Sequence, residues 1–178
     1  MTPDPTRHLS WDQLVAGFAA LPPPPLREGR VALVTARLPE GARRTPARAR
    51  LTVADGVEGD RWAQGRRMPE AQVTLMRADV AGLICNGQPL SLPGDNLLVE
   101  LDLSLDNLPA GVRLAVGTAE LEVTAEPHDG CTLFRERFGG PALKLTAHAD
   151  YKALRLRGIH ARVVRDGEVC PGDAVVVL

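Results

Sequence analysis

The chain has 178 residues and a mass of 19.1 kDa, with 44% apolar and 24% charged residues. That suits one globular domain with a sizeable core and excludes intrinsic disorder, collagen-like repeats and coiled coils. A formal charge of −1 and a pI near 6.4 leave no whole-molecule field to draw it to nucleic acid or an anionic membrane, so any anion site must be local.

In chain order, Ser10-Trp11-Asp12-Gln13 has the form of a capping box, and Trp11, Leu14, Val15 and Phe18 follow at helical spacing, predicting a short amphipathic helix to about Ala20. Pro22 to Pro25 end it and form a stiff linker, so residues 1–28 read as a helix with a proline-rich connection and residues 29–178 as the main domain. The helix is expected to dock through Trp11 and Phe18, either on its own barrel or on a second subunit. Strands are predicted at Val31 to Arg37, Ala49 to Val53, Gln72 to Met76, Asn96 to Ser104, Val112 to Val116, Glu120 to Ala125, Ala161 to Arg165 and Ala174 to Leu178. Asp166-Gly167 reads as a tight hairpin before Val169. Arg77 to Cys85 and Thr132 to His148 carry helical periodicity, the second broken at Gly139-Gly140-Pro141 into two short helices. So many short strands predict a mainly β domain, closed or nearly closed into a barrel, with short helices.

No run approaches the roughly 18 apolar residues that span a bilayer, and residues 1–8 lack the basic-then-apolar pattern of a leader, which makes the cytoplasm the expected location. Three widely spaced cysteines, Cys85, Cys131 and Cys170, fit reduced thiols better than a disulfide framework. Arginine supplies the positive charge except at Lys144 and Lys152, a bias that a GC-rich genome produces without any binding role.

The most informative stretch is Glu126-Pro127-His128-Asp129-Gly130-Cys131-Thr132. A helix starting near Thr132 places Cys131 at its N-terminus, where free N–H groups favour thiolate, with His128 close enough to add positive charge or take the proton. Such a thiolate can carry sulfane sulfur, attack an electrophile or bind a soft metal. Equally, Cys131 could be a small residue in a tight turn. Gly56 to Trp62, with Gly59, Asp60 and Arg61 followed by Arg66 and Arg67, has the glycines and arginines that hold a phosphate, or is a solvated loop. Together with Arg37, Arg43, Arg44, Arg48 and Arg50 it is the most basic region, but few aromatics are present for stacking on nucleic acid. Leu92 to Leu97 alone is an ordinary turn, and Arg155 to Arg162 a strand entry. His128-x-x-Cys131 could give zinc two ligands only if His148 and His160 converged on them. No zinc, NAD or ATP site is evident.

In order, Gly59-Asp60-Arg61-Trp62, Gln72 to Met76, Gly94-Asp95-Asn96-Leu97 with Leu101-Asp102-Leu103, Leu114 to Gly117, Leu121 to Thr124, Pro127-His128-x-Gly130-Cys131, Arg157 to Val163 and Gly172-Asp173 resemble the MOSC domain. That family is named for the C-terminal domain of molybdenum cofactor sulfurases, and the match runs from about Gly29 to Leu178. The resemblance implies a barrel like that of the pyruvate kinase β-barrel domain. It also implies a molybdenum cofactor (molybdopterin) site in which Cys131 is a persulfide carrier or molybdenum thiolate ligand and His128 tunes its protonation. Gly59, Asp60, Arg61, Asp95, Asn96 and Arg157 would bind the cofactor, the arginines facing phosphate and Asn96 a pterin edge. Many relatives have Gly-Glu-Asn where this chain has Gly94-Asp95-Asn96. The pyridoxal phosphate-dependent desulfurase domain and the N-terminal barrel of longer members are missing, so sulfur carriage implies a cysteine desulfurase or redox partner. Two other readings stay open: a molybdenum-dependent reductase of N-hydroxylated compounds with a separate electron donor, and a non-catalytic binding or scaffold module.

Overall fold

The computed structural model describes residues 2–178; Met1, first in the expected N-terminal segment, lies outside them. The capping box forms as expected: Ser10 Oγ accepts from the Gln13 N–H and Gln13 Oε1 accepts from the Ser10 N–H, which starts α1 (Trp11–Ala19). Then come β1 (Glu28–Val34), β2 (Ala36–Arg37), β3 (Arg43–Arg44), β4 (Ala49–Thr52), β5 (Gly56–Val57) and β6 (Val73–Arg77). After α2 (Ala78–Cys85) come β7 (Leu97–Val99), β8 (Arg113–Val116), β9 (Ala119–Val123) and α3 (Thr132–Ala147). The chain continues through β10 (Ile159–Arg165), β11 (Gly167–Val169) and β12 (Ala174–Val177).

Seven strands close a barrel in the order β1-β12-β8-β9-β10-β6-β7, sealed where β1 pairs with β7. Every pair in it is antiparallel except β6 with β7. Alternation explains the wall: Leu114 and Val116 of β8 and Leu121 and Val123 of β9 point inward between more exposed neighbours. Strands β6 and β7 differ, being buried throughout. Val73, Leu75, Leu97 and Val99 fill the barrel, while Met76 and Leu98 face a second core under the helices, and this two-sided cover suits a parallel pair.

That second core holds Leu14 of α1, Val80 and Ile84 of α2, and Phe134, Phe138 and Leu145 of α3. Burying each such side chain contributes about 1.5–3 kcal/mol. α1 therefore docks on its own chain, through the helical layer: Trp11 packs on His148 with Lys144 over its ring, and Phe18 meets Tyr151 edge-on. The proline segment is pinned rather than free, because the Pro25 carbonyl accepts from the Asp102 N–H at 2.8 Å.

Two expectations need correction. The run from Asn96 to Ser104 is strand only over Leu97–Val99, after which Asp102 turns the chain by accepting from the Ser104 backbone and hydroxyl. Asp166-Gly167 makes no hairpin, since β11 leaves β10 to pair with β4 and the Asp166 carboxylate accepts from the Val53 N–H at the end of that strand. The break in α3 is present at Gly139, whose φ of +84° interrupts the helical backbone.

Candidate functional site

The turn Pro93-Gly94-Asp95-Asn96, ordinary when taken alone, organises the site at the outer face of β6. Each residue holds a different partner. The Pro93 carbonyl accepts from Arg137 Nη1 at 3.2 Å. Gly94, at φ +86°, leaves room for the Arg43 guanidinium, which a Cβ would meet at 2.9 Å. Asp95 accepts from Arg157 Nη1 through both carboxylate oxygens, at 2.9 and 2.7 Å, and lies 3.3 Å from His128 Nε2.

Asn96 is fully buried, and its side chain is saturated. Nδ2 donates to the Thr35 carbonyl and to Asp60 Oδ2, while Oδ1 accepts from the Thr74 N–H and hydroxyl. An amide makes at most four such bonds, so none remains for a pterin edge. Asp60 is likewise internal. It accepts from the Arg37 N–H and guanidinium, from Asn96, and from the Trp62 N–H, where it caps the single helical turn Arg61–Gln64. Burial alone would raise its pKa, but the Arg37 bonds and charge outweigh this and hold the carboxyl below its usual range. These two residues, expected to line the pocket, instead cross-link Thr35 and Arg37 at the start of β2, β6 and the turn after β5.

His128 is buried, its side chain 8% exposed, and its imidazole faces Asp95. Burial, then the charge of Arg157, drives its pKa well below the ordinary 6.5, so it is neutral at pH 7 and adds no positive charge beside the thiol. Its ring meets His160 edge-on at 4.4 Å, and His160 Nδ1 is set 3.2 Å from the Glu126 carbonyl. Arg157 is buried as well, with its guanidinium 4.8 Å over the Phe134 ring. His148 lies elsewhere, against Trp11 and Tyr151, and no three His, Cys, Asp or Glu residues among those described stand together to hold a metal.

Cys131 is exposed, the extended N-cap residue of α3, and its Sγ makes no capping bond. Beside it gather Arg61, which the family resemblance puts at the cofactor, Arg43, legible only as part of a basic region, and Arg137, which no motif singles out. Burial, then Arg137 and Arg61, push the Arg43 pKa down to about 10. Arg137 is lowered too, chiefly by burial, then by Arg157 and Arg61, while Cys131 acts in the opposite sense. Arg43, Arg61 and Arg137 form no ion pair with a carboxylate among the described residues, and Arg43 Nε and Arg157 Nε are buried without an acceptor. By contrast, each arginine of the groove beside Trp62 has a carboxylate partner: Arg113 and Arg162 share Glu122, and Arg67 pairs with Asp55. Cys131 is thus an accessible thiol at the edge of a cluster of guanidiniums without carboxylate partners. Gly59 and Arg61 are exposed beside it, Gly59 packed against the Arg44 guanidinium.

One signal could have found Arg137. Phe134 and Phe138 mark the core stripe of the first part of α3, and position 137 lies three residues after Phe134 on its flank. Arg43, on a two-residue strand, gives no periodicity to read.

The MOSC domain family model matches residues 88–176. Among solved structures, the chain is similar to the YuaD protein from Bacillus subtilis, with a TM-score of 0.61 and 17% identity over 84% of this chain and 95% of that one. It is similar also to YiiM from Geobacillus stearothermophilus, with a TM-score of 0.60 and 16% identity over 84% and 75%, and to YiiM from Escherichia coli, at 0.56 and 16% over 84% and 69%. No curated protein matches its sequence. No helix of the described residues is long and apolar enough to cross a membrane.

Proposed function

The chain belongs to the MOSC domain family, and from that premise we propose that it binds a molybdenum cofactor of the molybdopterin type, with Cys131 as the thiol that meets the metal or carries sulfur to it. One observation carries the reading: three guanidiniums without carboxylate partners, Arg43, Arg61 and Arg137, gather beside an exposed cysteine. The donor set fits the group. Guanidiniums without carboxylate partners suit a phosphate, and a thiolate suits a soft metal.

Arg43, Arg61 and Arg137 would hold the phosphate, and Cys131 would supply sulfur at the metal end. Arg157, His128 and His160 form the polar wall between, fixed by Asp95 and the Glu126 carbonyl. When bound, the group supplies a redox-active metal centre. The protein's own part is to neutralise charge and to fix the wall, while the Asn96 network keeps the floor rigid. Leu133, exposed two residues from Cys131, supports approach by a protein partner such as a desulfurase or a reductant.

The test is the molybdenum and oxidised-pterin content of protein purified anaerobically from a host that makes the cofactor. Wild type is compared with Cys131→Ser and with Arg43→Gln/Arg137→Gln. Near-stoichiometric pterin in the wild type, lost in the double arginine variant, is the expected result. Equal content in all three, or none in any, refutes the assignment.

A further inference from the structure

We propose that the same pocket takes up thiosulfate and loads Cys131 with sulfur directly, making the chain a thiosulfate-dependent sulfurtransferase that needs no desulfurase for this step. The inference rests on the reading of the pocket as an anion site beside a usable thiol, and it names the small-molecule sulfur source.

The chemistry sets a demand that the site meets. The Cys131 thiolate attacks the outer sulfur of thiosulfate, a new S–S bond forms, and the old S–S bond breaks with its electron pair leaving on sulfite. The balance is Cys-S⁻ plus S₂O₃²⁻ giving Cys-S-S⁻ plus SO₃²⁻, with the thiol proton released to solvent beforehand and no outside oxidant or reductant needed. An anion must therefore approach a dianion, and their repulsion is the obstacle. Fixed cations at the meeting point remove it.

Arg137, held on the Pro93 carbonyl, and Arg43, lying over Gly94, bracket one turn of backbone. With Arg61 they lack carboxylate partners, so their charge is not already spent on the protein, and the buried Nε of Arg43 still lacks an acceptor. Their donors suit the three sulfonate oxygens of a small dianion.

The other cysteines are internal controls. Cys85 is buried, which pushes its thiol up to about 12, and it donates to the Pro89 carbonyl. Cys170 is half-buried next to Arg48, whose charge is shared with Glu168. Neither stands among unpaired cations.

The experiment incubates reduced full-length protein with thiosulfate. It measures released sulfite, locates the added sulfur by peptide mass, and follows turnover with cyanide, which removes the sulfur as thiocyanate. Expected are one sulfite per added sulfur, sulfur on Cys131 alone, saturable turnover abolished in Cys131→Ser, and a KM for thiosulfate raised about tenfold by Arg43→Gln or Arg137→Gln. Because Cys131 is exposed, the serine variant should fold, and Cys170→Ser should react as wild type. Sulfur spread over all three cysteines, no saturation, or no sulfite overturns the inference. Pterin and molybdenum content on the same preparations separates the two claims. Retained cofactor without thiosulfate reaction sinks only the sulfurtransferase, and loss of both in the wild type sinks the anion pocket as well.

Discussion

Replacing Asn96 by alanine separates a structural cross-link from a ligand contact. The change leaves the Thr74 N–H and the Thr35 carbonyl without their side-chain partner inside the protein, each at about 1–3 kcal/mol, and removes a bond to ionised Asp60 worth about 1.5–3 kcal/mol. Asp60 keeps its Arg37 and Trp62 donors, and water entering the vacated space recovers part of the loss. The net is about 3–5 kcal/mol, which in a domain of this size lowers Tm by about 10 °C. Urea unfolding followed by circular dichroism measures it directly. Thr74→Val is the companion substitution, and the double variant should show strong coupling because both act in one network. A loss below about 1 kcal/mol together with vanished pterin binding would refute the argument, because it would make Asn96 a ligand contact after all.

Other consequences are independent of that network. Gly94→Ala places a Cβ 2.9 Å from the Arg43 guanidinium at a φ of +86°; it should cost about 1–2 kcal/mol and weaken sulfate binding by calorimetry, and unchanged binding would show that Arg43 does not face the anion. His128 is neutral when folded but protonates near pH 6.5 when unfolded, so its contribution is complete above that pH and is lost as pH falls through 6.5 toward the depressed folded value. His128→Gln should flatten urea midpoints measured between about pH 7 and 5, leaving the part due to His160, whose pKa burial also lowers. His8 Nε2 lies 3.0 Å from the Arg137 carbonyl and its ring packs against Gly139. His8→Ala should cost about 1 kcal/mol and speed amide exchange over residues 132–138 while the barrel strands stay protected; uniform acceleration would mean that the contact is not local.

Much of the barrel is legible in the sequence because its wall is amphipathic. Strands such as Arg113–Val116 and Ala119–Val123 alternate, and a solvent face next to a filled interior writes that alternation into the residues. Strand β6 shows the signal poorly because its outer face is covered too, Thr74 by Asn96 and Met76 by the helices, so no exposed polar residue marks that face. Short pieces such as Ala36–Arg37 and Gly56–Val57 exist through their partners alone. For the site, Cys131 and Arg157 stand in recognisable motifs, but polar residues in those motifs carry two meanings. Asp60 and Asn96 look like ligands, yet a closed barrel must also satisfy backbone groups where strands diverge, and that is the work they do. Arg43 and Arg137 reach the pocket only because the Pro93–Gly94 turn lies beneath both, a proximity that no local pattern encodes.

The sealing of the barrel bears on how the protein is made. Strand β1 pairs with β12, joining Glu28 to Val176, and also with β7, whose entry turn bears the site. The wall cannot close until β12 pairs with β1, and Arg157 and His160 stand only shortly before β12 in the chain. Closing the wall therefore joins strands from opposite ends of the described residues, a step of high contact order. Contacts that form this late act on the rate of unfolding more than on the rate of folding. A substitution that loosens the β1–β12 seam should shorten the lifetime of the native protein while barely delaying its formation.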